Sequence, residues 1–149
     1  MTGQVEKTAL YSLVGGLLCQ FAQEMLQSQY LTDFLQENLI NLLAALLAVN
    51  SATVGIVLTK VRELIEKHGH GGALKETKEQ LLLSVKEQLG LIVAAVVILT
   101  LHTSKHVASI SSLPFVVAAA LSGVFIYAMV VLYDVAKSVL IIIDFDPKD

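Results

Sequence analysis

The side chains that could do chemistry in this chain are few and dispersed. His68 and His70 sit in a glycine-rich turn, His68-Gly69-His70-Gly71-Gly72, and two imidazoles could share a metal ion, most readily across an oligomer axis. No carboxylate stands beside them to complete a ligand set, so a solvated turn is the plainer reading, and no metal or cofactor is expected. Cys19 is the sole cysteine, which excludes an intrachain disulfide or a cysteine zinc site and suits a packed thiol. Glu24 is the one acidic residue near an apolar run, but it falls toward an end of its helix, whereas a proton-coupled carrier places its acid at mid-membrane. No nucleophile elbow, phosphate loop or zinc-hydrolase helix occurs. Catalytic and cofactor-binding residues are therefore not assigned, and an enzyme is not expected. A formal net charge of −3, with lysines matched by nearby glutamates, argues against a nucleic-acid partner.

The distribution of charge is far more informative than the reactive groups. Residues 8–59 contain no lysine or arginine, whereas 60–88 holds six of the ten: Lys60, Arg62, Lys67, Lys75, Lys78 and Lys86. From 89 to 133 the chain is again apolar, with Lys105 its only fixed cation. Mean hydropathy is +0.72 and 55% of residues are hydrophobic, above the roughly 45–50% of soluble domains. Hydrocarbon cannot hydrate a charge, so long uncharged runs around one compact charged segment indicate an all-α integral membrane protein in contact with a lipid bilayer. The positive-inside bias puts 60–88 in the cytoplasm.

Four helices follow as an up-down bundle in a single membrane domain, at about 5–29, 36–68, 73–104 and 113–143, with three spans as the alternative. The first places Leu10, Val14, Leu17, Leu18, Phe21 and Met25 on one face and Ser12, Gly16, Cys19 and Gln23 opposite. It reads as a span or a helix buried against spans, with an interfacial helix as the other reading. Residues 27–38 are polar and acidic, as an external connection should be. Helix two gains the i, i+4 pairs Arg62–Glu66 and Glu63–Lys67. Ser111 or Ser112 caps helix four with Pro114 in its first turn, and Asp-Phe-Asp-Pro ends it. Helices two to four exceed the roughly 20 residues of a span at their cytoplasmic ends. Four spans put both termini inside, as a multi-pass protein of the inner membrane.

Within helix two, Asn41, Ala45, Ala48, Ala52, Gly55 and Thr59 recur at spacings of 4, 3, 4, 3 and 4. Small residues on one stripe let helices approach closely in lipid. Packing within one subunit is the plainer reading, with a subunit interface or a pore lining as the others. Asn50 lies on the opposite, leucine-rich face among Leu43, Leu46, Val54 and Val57. An unpartnered amide in lipid is costly, so it should meet another helix, a neighbouring subunit or water. Asp134 and Lys137, one turn apart, read as an ion pair at the inner membrane boundary.

The stretch NLLAALLAVNSATVGIVLTKVRELIEK followed by KETKEQLLLSVKEQLGLIVAAVVILTL resembles, in architecture, small multi-span membrane proteins of prophages and bacterial defence islands, the RexB-type exclusion proteins and KwaA-type membrane subunits. It covers about residues 38–143 and carries no diagnostic motif, so no site residue is transferred. The segment 60–88 also has mixed charge where a RexB-type linker is more basic. Arg62 to His68 separately fits the loose Arg-x(4–6)-His spacing of HEPN ribonucleases, which amphipathic helices generate often. The architectural resemblance implies a small homo-oligomeric inner-membrane protein, a gated channel or pore altering permeability in phage exclusion or defence. The alternative is a membrane scaffold or sensor that recruits a cytosolic protein through the 60–88 hairpin.

Overall fold

The computed structural model describes residues 2–68, 72–104 and 112–143, and these are entirely helical apart from short turns. The elements are α1 (Thr2–Met25), α2 (Tyr30–His68), α3 (Gly72–His102) and α4 (Leu113–Ile143). Three of them contain stretches long and apolar enough to cross a membrane: Tyr30–Lys60, Lys78–His102 and Leu113–Leu140. The first helix is not among these, Gln20, Gln23 and Glu24 interrupting its apolar run. The expected turn over 69–71 with His70, the Ser111 cap and the Asp-Phe-Asp-Pro stop at 144–147 fall outside the described residues, as do the side chains of Lys67 and His68.

The boundary between α1 and α2 differs most from the sequence reading. The first helix ends at Met25, and Gln27 adopts a left-handed conformation with φ of 50°. The Ser28 N–H donates to the Gln23 carbonyl at 2.9 Å and the Gln27 N–H to that of Glu24 at 3.1 Å, a Schellman closure. The second helix then begins at Tyr30 rather than near residue 36. Polar residues in its first turns do not prevent this, because Leu35, Leu39 and Leu43 recur at i, i+4 and i+8 and are buried to within 1% of full coverage. Asp33, Glu37 and other polar groups occupy the outer face. At the other end of the chain, the Ser112 carbonyl accepts from the Val116 N–H at 3.4 Å, so Ser112 opens α4 and Pro114 falls in the first turn, where a missing N–H costs nothing.

Packing is organised around α4, which touches all three other helices. Half of its apolar stretch is buried, against 22% in α2 and α3. One cluster joins Leu35, Leu39 and Leu43 of α2 to Ala95 of α3 and Leu121, Val124 and Ala128 of α4. A second joins Val54 and Val57 of α2 to Leu81 of α3 and Val135 of α4. Residue numbers rise together in α2 and α4 and fall in α3, so α3 runs antiparallel to both.

The first helix packs extensively only on α4. A methyl group added to Gly16 would collide with the Ala119 carbonyl and come within 2.7 Å of the Gly123 nitrogen, and one added to Gly123 would lie 3.2 Å from the Ser12 carbonyl. Backbones meet there directly. Contact without a strong hydrophobic force needs such small residues in lipid, and Ser12, Gly16 and Gln23 supply the buried face of α1. Leu10, Leu17, Leu18, Phe21 and Met25 are exposed on its other side.

Candidate functional site

Residues in the small stripe of α2, Asn41, Ala45, Ala48, Ala52, Gly55 and Thr59, are all exposed on the outside of the bundle. A methyl group on Gly55 would meet nothing within 4 Å. The reading of this stripe as packing within one subunit is therefore corrected. The reason is a competition between two faces that can each pack: α2 turns inward the face bearing Leu35, Leu39, Leu43, Val54 and Val57, which fills more core volume. The close backbone approach is made instead by α1 on α4. Thr59 returns its hydroxyl to the Gly55 carbonyl at 3.0 Å, satisfying itself without a neighbour.

Asn50 lies on the inward face and has no exposed surface. The heptad step explains its surroundings. From Leu43 to Asn50 to Val57 is seven residues each time; so are Ala95 to Gln88 to Leu81, and Leu121 to Ala128 to Val135. The outer members of these series belong to the two apolar clusters. The middle members are Asn50, Gln88 and Ala128, with exposures of 0%, 1% and 0%; Ala128 closes the first cluster, and the two amides fall between the clusters. Neither amide nitrogen nor amide oxygen of Asn50 or Gln88 has a hydrogen-bond partner, and the buried hydroxyls of Ser12 and Ser122 are likewise unbonded.

A polar node ties α1 to the start of α2. The Leu31 and Thr32 N–H groups donate to Gln23 Oε1 at 3.1 and 3.2 Å. The Gln23 amide donates to Gln20 Oε1 at 3.1 Å and to Thr32 Oγ1 at 3.3 Å. Thus Gln23, whose polarity shortens the apolar run of α1, caps the positive end of the next helix. Gln36 on α2 and His102 on α3 meet at 3.2 Å.

At the opposite end of the bundle, α1 and α3 flank α4 without packing on one another, leaving a cleft of about 290 Å³ with α4 as its floor. Val5 and Thr8 of α1, Ser84 and Glu87 of α3, and Tyr127, Asp134 and Lys137 of α4 line it. Val5 and Thr8 sharing this wall with Asp134, while Gly16 meets Ala119, sets α1 antiparallel to α4. Glu87 is half-buried and lines the same cleft as Asp134. Asp134 and Lys137 are exposed and share the cleft, yet the ion pairs among the described residues are Lys60–Glu63 at 3.3 Å and Arg62–Glu66 at 3.0 Å. The expected ion pair of Asp134 with Lys137 is thus replaced by two separate charges on one wall.

Glu87 and Gln88 were not singled out by the sequence pattern. Both stand in Lys86-Glu87-Gln88, which reads as a solvated stretch, and only the heptad through Leu81 and Ala95 selects Gln88 as inward. No group of three or more histidine, cysteine, aspartate or glutamate side chains able to hold a metal exists among the described residues. Cys19 is half-buried as a free thiol. Comparison with protein-family models, curated proteins and solved structures finds no match to this chain.

Proposed function

We propose that the chain is a small homo-oligomeric protein of the cytoplasmic (inner) membrane that forms a gated channel or pore. The observation that carries this reading is the outward stripe of α2 from Asn41 to Thr59, small and weakly polar, left uncovered by the chain's own helices while Leu35, Leu39, Leu43, Val54 and Val57 of the opposite face are buried. In lipid such a face gains little from facing hydrocarbon chains and packs well against a second copy. Around an oligomer axis, Asn41 and Thr59 would supply amide and hydroxyl groups without fixed charge, which suits a weakly selective or normally closed path. Asn50 is enclosed within its own subunit and is not part of that lining.

In this reading all four helices are membrane-embedded, α1 lying against α4 with its apolar face toward lipid, and 60–88 faces the cytoplasm together with the start of α1 and the end of α4. Cysteine labelling in a Cys19→Ala background tests this: an impermeant external reagent should leave positions 3 and 70 unlabelled. Strong external labelling at 70 would reverse the orientation, and at position 3 would leave three spans. The architectural resemblance suggests phage exclusion or defence as the setting.

Native mass spectrometry in mild detergent tests the oligomer, and a potential-sensitive dye in expressing cells tests the pore. An oligomer and a depolarisation, both lost on Ala48→Leu with Ala52→Leu, are expected; a strictly monomeric species would overturn the proposal. A second reading, a scaffold for a cytosolic partner, draws on α2 and α3 running beyond their apolar stretches, from Lys60 to His68 and from Gly72 to Lys78. Unchanged potential under every trigger, with a cytosolic protein retained through this hairpin, would favour it.

A further inference from the structure

The fixed cations among the described residues stand toward one end of the bundle, but one of them lies deeper than the rest. In α2 the apolar stretch closes at Lys60, three residues beyond Val57. Val54 and Val57 pack in one cluster with Leu81 of α3 and Val135 of α4, so Leu81 marks that level on α3. From there the antiparallel α3 runs toward Ala95 and the other cluster, and Lys86 stands five residues along it. Lys86 is therefore about 12 Å inside the level of Lys60, at 1.5 Å per residue. Its side chain is exposed, and its neighbours on that face are Leu82, Leu89 and Val93, exposed by 42%, 50% and 65%. Glu87 beside it turns to the cleft and Gln88 to the core. Lys86 enters no ion pair among the described residues. An ammonium among lipid-facing apolar side chains at this depth is costly unless an anion or water reaches it. Its four-carbon stem is shorter than the distance to the boundary, so snorkelling alone does not bring it out.

We propose that Lys86 holds the phosphate of an anionic phospholipid, drawn from the cytoplasmic leaflet onto the outer face of α3. An ammonium is a good point-charge partner for phosphate, and a lipid carries its phosphate on chains that suit the apolar side chains around Lys86. Pulling the headgroup inward thins the leaflet locally, the accommodation that a short apolar run calls for. On α3 that run, Leu89–Leu101, has 13 residues, against the roughly 20 of a span. Gly90 stands one turn beyond Lys86 on the exposed side, and a methyl group there would meet nothing within 4 Å, which leaves room for the glycerol and the first acyl carbons. A second copy of the chain fits the face less well. The carboxylate at this depth among the described residues is Glu87, which lines the cleft on another side of α3. This inference rests on the reading that α3 crosses the membrane with this end in the cytoplasm, but not on the pore.

The experiment reconstitutes the full chain in phosphatidylcholine vesicles containing phosphatidylglycerol, extracts it into mild detergent and counts each retained lipid by native mass spectrometry. Relative to the vesicle composition, phosphatidylglycerol should be retained over phosphatidylcholine by at least about fivefold, the factor equivalent to the roughly 1 kcal/mol of one lysine beside an anionic leaflet. Lys86→Met should lower that preference by about the same factor, and Lys86→Arg should keep it. Lys78→Met, at the boundary, is the control and should change it by less than about twofold. Equal retention of the two lipids by the wild-type protein would overturn the proposal without recourse to any variant, and so would a preference that survives Lys86→Met or falls as far in Lys78→Met. Displacement of the lipid by free glycerol phosphate at equal concentration would overturn the lipid source. Lys86→Cys in the Cys19→Ala background should give no disulfide between copies in the vesicles; efficient cross-linking would assign the face to a second copy and overturn the proposal. Resistance to carbonate extraction is scored in the same vesicles: a protein that fails to insert overturns the membrane reading as well, whereas one that inserts without lipid preference overturns this proposal alone.

Discussion

Asn50 on α2 and Gln88 on α3 occupy one layer of the bundle, seven residues from Leu43 and Ala95 on one side and from Val57 and Leu81 on the other, both enclosed and neither hydrogen-bonded. A polar layer between two apolar clusters lowers stability, because each buried amide without a partner costs about 1–3 kcal/mol. Asn50→Leu and Gln88→Met are near-isosteric exchanges. Each is expected to raise the thermal unfolding midpoint in detergent, and the double variant to raise it further. A fall in both single variants with recovery in the double would instead reveal that the amides are joined, for example through a water.

The Gly16 crossing is expected to be intolerant of any side chain. Alanine there meets backbone atoms of Ala119 and Gly123 that cannot rotate away, and overpacking of this kind costs about 1–3 kcal/mol or more. Gly16→Ala should separate α1 from α4, read as new protease sensitivity confined to residues before Gln29. Gly55→Ala is the control: with open space around it, it should be neutral or favourable by up to about 1 kcal/mol from helix propensity.

Leucine at Ala48 and Ala52 separates subunit folding from assembly. Both positions are exposed on the single chain, so the helical content and the unfolding midpoint of the monomer should be unchanged within about 0.5 kcal/mol. The oligomer should be lost in native mass spectrometry. Loss of the monomer fold would show that the stripe packs within the chain after all.

Gln23→Leu removes the acceptor for two N–H groups at the start of α2. The expected cost is about 1–2 kcal/mol, the range for loss of a helix cap, and hydrogen exchange should rise at Leu31 and Thr32 first. Gln27→Gly acts in the opposite direction. Glutamine held at a φ of 50° is in a region costly for any residue with a Cβ, by roughly 1–2 kcal/mol, so glycine should raise the midpoint. Unchanged exchange in the first variant would detach Gln23 from the cap.

Much of this architecture was legible because lipid-compatible sequence is so constrained. The position of the lysines and arginines marks the apolar stretches, and the two faces of α1 separate cleanly into Leu10–Phe21 and Ser12–Gly16 sets. The orientation of α2 was not legible. Its small face and its leucine face can both pack in lipid, and no local propensity says which the rest of the chain will cover. The candidate cleft was hidden for a different reason. Lys86, Glu87 and Gln88 are consecutive polar residues with nearly identical local character, yet one is exposed, one half-buried and one enclosed. Only the rotational phase of α3, fixed by Leu81 and Ala95 against α2 and α4, distinguishes them. Tyr127 becomes notable only once α1 and α3 are seen to leave a space above it.

That α1 has its one extensive partner in α4 sets a schedule for biosynthesis. The ribosome makes α1 before the two intervening helices, so the Ser12–Gly16 face waits through synthesis of α2 and α3 before Ala119 and Gly123 exist to receive it. Throughout that interval the nascent chain carries a helix of marginal hydropathy with no companion. Chains that end before α4 leave the Ser12–Gly16 face of α1 without the surface that covers it in the complete bundle.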